Sequence, residues 1–217
     1  MNFDVNLECA ILTGNDVRDW LQGQITQDVR LLSPDSPIAF CLTSATGQIV
    51  GLGTLSETPE GVVVVADPQS IAILGQRLET YVIMEDVEMK PIPPGPYPVW
   101  TGRGFEVLGD FKVGNRLERG WPELGSDIDA KTFPQELGEG FVKAHVSFTK
   151  GCYLGQEVVH RIHARGKVNR IWAAIESDTE LRVGDGRVTR VEKIGESWFG
   201  GGLFPISEAE NLRRIPI

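Results

Sequence analysis

The feature that most limits how this chain folds is Pro91-Ile92-Pro93-Pro94-Gly95-Pro96-Tyr97-Pro98, which holds five of the thirteen prolines. Each proline fixes φ near −65° and lacks a backbone N–H, so the stretch is excluded from a helix interior and from a central strand. It reads as a stiff linker. It divides the 217 residues into an N-terminal part, 1–90, and all that follows. A chain of this length fits one large domain or two small ones and buries a core without disulfide staples.

Before the prolines, strands alternate with two helices. Residues 9–12 form a short apolar strand. Thr13-Gly14-Asn15-Asp16 is a helix start, and Val17, Trp20 and Leu21 recur at i, i+3 and i+4, which predicts a helix over 16–22 ended by Gly23. Residues 38–43 and 49–55 read as strands joined by a hairpin loop at 44–48, and 62–66 as a buried strand. Asp67-Pro68 sets an N-cap with proline at N1. Ile71, Leu74 and Leu78 then give helical spacing, predicting a helix over 68–80. A strand is expected to return over 82–89. The order predicts an α+β layer sandwich with a largely antiparallel sheet.

Beyond the prolines, 102–109 reads as a hairpin and 115–120 as a helical turn. Residues 121–142 are punctuated by Pro and Gly and read as ordered loop, because Trp121, Phe133 and Phe141 need burial. Short strands over 171–176, 188–194 and 197–204 are separated by Gly184-Asp185-Gly186 and Gly200-Gly201-Gly202. They predict a small C-terminal β-barrel or sandwich. The expected parts are therefore 1–90, 91–167 and 168–217.

The formal net charge of −9 excludes general nucleic-acid binding, which needs a surplus of Lys and Arg, and disfavours an anionic membrane surface. No apolar run approaches the roughly 18 residues that span a bilayer. The first eight residues lack a signal peptide's basic and apolar regions. Three cysteines, Cys9, Cys41 and Cys152, show no paired spacing, so a reducing cytoplasm is the expected compartment. The average charge conceals an island. Between Lys143 and Arg170 lie six basic residues against one acid, Glu157, and all three histidines, His145, His160 and His163. Such a local reversal suits an anionic group, or else a solvated basic face.

Inside the island, Ser147 to Glu157 is the densest run of reactive and conformationally special residues. Gly151 and Gly155 flank Cys152 and precede a helical stretch expected over 154–163. A thiol near a helix N-terminus, with Lys150 two residues away, is placed where a dipole and a cation favour the reactive thiolate. Cys152 is the candidate reactive group; Cys9 and Cys41 sit in apolar strands and read as core. Glu157 and Arg161 stand at i, i+4 as an intrahelical ion pair. Glu157, His160 and His163 have a spacing that a metal can use. There is no second Glu-x-x-His, and Arg161 and Arg165 repel a cation, so no metal site is assigned.

Lys150-Gly151-Cys152-Tyr153-x-Gly155-Gln156-Glu157-x-x-x-Arg161 resembles the signature of YgfZ-type folate-binding proteins, relatives of the T-protein (aminomethyltransferase) of the glycine cleavage system. Leu117-Glu118-Arg119-Gly120-Trp121-Pro122 is similar to an element of that superfamily, as is Leu21 to Val29 near the N-terminus. The resemblance implies ferredoxin-like antiparallel sheet and helix units, the second truncated here, plus a C-terminal β-barrel, around a folate pocket. It implies tetrahydrofolate or a derivative as cofactor, with Glu118 facing the pterin and Gln24, Thr26, Tyr153, Gln156, Glu157, Arg161 and Arg165 contributing to the site. Cys152 and Lys150 would carry the chemistry.

The function the resemblance implies is that of an accessory protein supporting iron-sulfur cluster assembly or repair, and through it tRNA modification, with iron-sulfur proteins or assembly factors as partners. One cysteine does not hold a cluster by itself, because clusters normally take four thiolates. A one-carbon transferase of the aminomethyltransferase type is the alternative, and a non-catalytic interaction module a third. Where the transferase places an acid after its hairpin Gly-x-Ile, this chain has Gly47-Gln48-Ile49-Val50-Gly51. The transition-state electrostatics of the transferase are therefore missing.

Overall fold

The computed structural model describes residues 5–107, 112–113, 116–209 and 212. Leu108 and Gly109 of the expected hairpin, Asn115 of the expected turn, and residues 1–4, 210–211 and 213–217 lie outside the described residues.

The N-terminal part is built around a five-stranded antiparallel sheet. Its strands are β2 (Glu8–Thr13), β3 (Ile38–Thr43), β4 (Ile49–Thr58), β5 (Gly61–Ala66) and β6 (Glu88–Ile92), in the order β3-β4-β5-β2-β6. Helices α1 (Val17–Gln24) and α2 (Pro68–Tyr81) pack on one face. There Trp20, Leu21 and Leu74 meet Leu12, Phe40, Leu42, Val62 and Val64. The alternate residues Cys9, Ala39, Cys41, Val63 and Val65 point to the other face, into a core with Trp100, Leu117, Phe141, Trp172 and Phe199. The strands therefore read as continuous apolar runs because both faces of the sheet are covered.

Asp67 caps α2 as its spacing predicts, accepting from the Ser70 N–H at 3.0 Å and the Ser70 hydroxyl at 2.6 Å. Helix α1 runs past Gly23 and ends at Ile25, whose extended backbone turns the chain away. The strand expected over 82–89 starts only at Glu88. Glu85 folds the preceding segment into a turn by accepting from the N–H groups of Ile83 and Met84. The strand then continues into the proline segment, with Pro91 opposite Ala10. An edge strand tolerates proline, because only one of its sides is hydrogen-bonded. So the expected linker is partly strand, and Pro98 opens β7.

Two short pairs follow. Strand β7 (Pro98–Trp100) pairs with β8 (Phe105–Val107), and β1 (Val5–Asn6) pairs with β9 (Lys112–Val113). The stretch read as loop over 121–142 contains a 3₁₀ turn at Pro134–Leu137 and leads into α3 (Glu139–His145). Helix α4 is Gln156–Arg165, shifted from the expected 154–163. Gly155 has φ +84° and Gly166 φ +64°, and these left-handed positions fix its ends.

The C-terminal strands β10 (Arg170–Ser177), β11 (Val188–Ile194) and β12 (Ser197–Pro205) form a three-stranded antiparallel sheet in the order β10-β12-β11, followed by α5 (Ile206–Ala209). Three strands are too few to close on themselves, so the described residues contain no barrel. The sheet is fastened to the segment after the prolines by buried charge. Arg190 pairs with Asp127 at 2.9 Å and with Glu123 and Glu192 at 3.2 Å.

Candidate functional site

The chain leading into the signature segment is anchored to the loop that follows α1, and that loop is tied to β3. The Thr26 hydroxyl, fully buried, donates to the His145 carbonyl at 2.6 Å and accepts from the Cys41 N–H at 2.9 Å. The Ser147 N–H donates to the Thr26 carbonyl, and the Gln27 amide to the Ala144 carbonyl. Lys150 turns inward. Its buried ammonium donates to the carbonyls of Ile25 at 2.6 Å and Gln27 at 2.9 Å and lies over the Tyr153 ring. Burial pushes its pKa down to about 8, against the pull of Asp28. Tyr153 is buried as well; desolvation raises its phenol, and its hydroxyl has no hydrogen-bond partner.

The segment closes on the β3–β4 turn. A Cβ at Gly155 would stand 2.2 Å from the Ser44 carbonyl oxygen, so only glycine allows this approach. The turn itself is tied by hydroxyls and one amide, with Ser44 and Thr46 both donating to the Gln48 side-chain oxygen at 2.6 Å.

Cys152 is exposed between these anchors, whereas Cys9 and Cys41 are buried, as their apolar strands predict. Lys150 does not sit beside the thiol as a free cation, because its ammonium is engaged by backbone carbonyls on the inside. The thiol also precedes α4 by four residues rather than standing in its first turn. Gln156 reaches the Gly151 carbonyl and the His160 ring. Glu157 and Arg161 are exposed and pair with each other, and Arg165 is exposed without an ion pair among the described residues.

The basic island is smaller than its composition suggests. Arg170 is held by Glu136 and Asp129, and His145 is fully buried, with burial lowering its pKa to about 3. His163 stacks on Phe148 at 3.6 Å between ring centroids. Among the described residues no group of three or more His, Cys, Asp or Glu side chains is placed to hold a metal. Gln24 supplies a carbonyl to Arg77, and its own side-chain oxygen is buried without a partner. Glu118 is exposed; its backbone carbonyl accepts from Arg103.

The residues that line the interior cavity are largely not those the sequence singles out. The cavity lies between the five-stranded sheet and the segment after the prolines, measures about 80 Å³, and includes Thr54, Asp67, Trp100, Arg116, Trp121, Glu123 and His145 in its wall. Arg116 is 5% exposed and lies 4.1 Å from the Trp121 ring centroid. Burial lowers its pKa to about 10, so it remains a cation. The His145 Nδ1 donates to the Phe141 carbonyl at 2.9 Å. Its Nε2 is thereby left as an acceptor. Arg116 stands immediately before the recognised element, two residues ahead of Glu118, and no local pattern marks it as buried.

No protein-family profile matches the chain. A protein from Colwellia psychrerythraea described as "tRNA-modifying protein YgfZ" is 28% identical over 158 residues, covering 68% of this chain and 44% of that protein. One of the same description from Pectobacterium carotovorum is 24% identical over 280 aligned positions, covering 95% of this chain and 84% of the relative. The alignment exceeds the chain's 217 residues, so the relative carries internal segments absent here. Among solved structures, the glycine cleavage system aminomethyltransferase T from Bartonella henselae superposes with TM-score 0.69 at 15% identity, over 95% of this chain and 78% of that one.

In class, then, this is an α+β protein with the aminomethyltransferase fold. The resemblance carried by the Lys150–Arg161 signature is borne out: over most of its length the chain is similar to YgfZ-type proteins.

Proposed function

We propose that the chain is a folate-binding accessory protein that takes up tetrahydrofolate or a derivative at the central cavity and presents Cys152 as a reactive thiol. The observation that carries this reading is the presentation of Cys152, exposed on a segment whose neighbours Lys150 and Tyr153 are both buried. Anchoring on each side holds an accessible thiol in place, as a reactive cysteine requires. The cavity suits an aromatic ligand, since two indoles wall it and Arg116 and His145 have unused hydrogen-bonding capacity.

On this reading the thiol serves iron-sulfur cluster assembly or repair in the cytoplasm, with partner proteins supplying the remaining ligands, and tRNA modification depends on it indirectly. The first sheet is a ferredoxin-like unit with one added strand, and the second unit is reduced to the short pairs after the prolines. Among the described residues, Gln24, Glu118, Gln156 and Arg165 are the exposed or half-exposed members of the expected folate set that have no ion pair. The β3–β4 turn offers hydroxyls and an amide where a transferase uses a carboxylate, so binding without aminomethyl transfer is favoured.

Calorimetric titration of the purified chain with tetrahydrofolate should show saturable heat at one site per chain. In a strain lacking the gene, Cys152→Ala should fold yet fail to restore cluster-enzyme activity. Absence of binding heat refutes the folate role, and full complementation by Cys152→Ala refutes the role of the thiol.

A further inference from the structure

Two arginines are buried side by side under the C-terminal sheet, and they are treated differently. Arg190 is held through its terminal nitrogens: three carboxylates lie within 3.2 Å, and it donates to the Trp121 carbonyl at 3.0 Å, while its Nε is buried without a hydrogen-bond partner. Among the described residues Arg116 has one carboxylate within 4 Å, that of Glu123 at 3.8 Å, too far for a hydrogen bond. Its Nε is buried without a partner as in Arg190, but among the described residues no other nitrogen of the Arg116 guanidinium makes a hydrogen bond either. A buried guanidinium with unmade hydrogen bonds costs about 1–3 kcal/mol per group, and most native proteins avoid it. Trp121 below the guanidinium and the carboxylates of Glu123, Asp127 and Asp67 around it keep it charged and oriented.

Arg116 and His145 both line the cavity. Arg116 offers only donors there, and the neutral His145 offers an acceptor through Nε2. That pairing matches a planar heteroaromatic edge carrying an oxo group next to an N–H. The volume of about 80 Å³ accommodates a ring edge rather than a bicyclic ligand, since a cavity of about 150 Å³ holds a benzene. We propose that Arg116 is the residue by which the cavity recognises the oxo-bearing edge of its ligand's ring, with His145 as the complementary acceptor. This rests on the folate reading and departs from the sequence expectation, which gave the ring to Glu118.

The test follows the fluorescence of Trp100 and Trp121 while the wild-type chain, Arg116→Gln, Arg116→Lys and Glu118→Gln are titrated with three probes. These are tetrahydrofolate, pterin without a tail, and 4-aminobenzoylglutamate without a ring. Arg190 remains within 3.2 Å of Glu123 in the Arg116 variants, so the buried carboxylate keeps a cation. Arg116→Gln should weaken tetrahydrofolate and pterin about 10- to 100-fold, the loss expected for a charge-assisted hydrogen bond. It should leave 4-aminobenzoylglutamate unchanged, and it should cost more than Glu118→Gln. Should the variants fail to fold, the crystal structure of the wild-type chain with tetrahydrofolate decides: an Arg116 nitrogen within 3.2 Å of the ring oxygen is expected.

Unchanged affinity of Arg116→Gln, a larger loss in Glu118→Gln, a loss confined to 4-aminobenzoylglutamate, or a crystal structure with the ring elsewhere each overturns the assignment while leaving folate binding intact. Failure of the wild-type chain to bind tetrahydrofolate overturns both.

Discussion

Replacing Gly155 by alanine measures how tightly the signature segment is seated. Two costs are distinct. An L-residue at φ +84° adopts the left-handed region at about 1–2 kcal/mol. The new methyl group also stands 2.2 Å from the Ser44 carbonyl oxygen and 3.1 Å from the Gly47 backbone. Neither neighbour is a flexible side-chain end, so the β3–β4 turn or the helix start must move, at about 1–3 kcal/mol. Gly155→Ala is therefore expected to lose about 2–5 kcal/mol. The control is Gly166→Ala at the other end of α4, where φ is +64° but no atom lies within 4 Å of the added Cβ; it should lose only the conformational part. Urea unfolding followed by circular dichroism gives both values. The difference should lower the melting temperature of Gly155→Ala by a further 2–12 °C or so, at about 2–4 °C per kcal/mol for a chain of this size. If the two variants unfold within about 0.5 kcal/mol of each other, the contact between the turn and α4 does not constrain the segment.

Acid sensitivity should trace to His145. Its folded pKa of about 3 lies below the reference 6.5, so the unfolded chain binds the extra proton between those values. Stability therefore falls as the pH drops from 6.5 towards 3, by up to about 4–5 kcal/mol. His145→Phe should flatten that part of a pH-dependent unfolding series, and an unchanged slope would assign it to other groups. Thiol titration with a disulfide reagent should count one reactive cysteine per native chain, three after unfolding, and none in native Cys152→Ala; a second fast thiol in the native chain would contradict the burial of Cys9 and Cys41.

Much of the first sheet was legible because its signals are local. Asp67-Pro68 and the spacing of Ile71, Leu74 and Leu78 specify α2 without reference to the rest of the chain. The burial of Cys9 and Cys41 followed from their apolar neighbours. The misplaced boundaries have tertiary causes. The position of β6 depends on the Glu85 turn and on an open sheet edge that tolerates Pro91, and α3 begins at Gly138 with no side-chain cap to announce it. The site was read in the same uneven way. The signature marked Cys152 and the glycine approach. It did not reveal that Lys150 and Thr26 point inward, because only the folded chain brings them to the carbonyls of Ile25 and Gln27 after α1 and of His145 at the end of α3. Arg116 was missed because a buried charge is stabilised by partners such as Trp121 and Glu123, whose proximity no spacing encodes.

The ties between the chain around the signature and the loop after α1 join residues far apart in sequence: Thr26 to His145 across 119 positions, Lys150 to Ile25 across 125. During synthesis the ribosome delivers β3 long before the segment that completes its outer border. Until then Cys41 has only Thr26 along that border, and Thr26 has no anchor of its own. Long-range closure of this kind slows folding and prolongs exposure of unpaired strand edges. The nascent chain therefore passes through a stage in which the apolar β3 edge is open, and a substitution such as Gly155→Ala should lower soluble yield in cells more than its equilibrium cost alone accounts for.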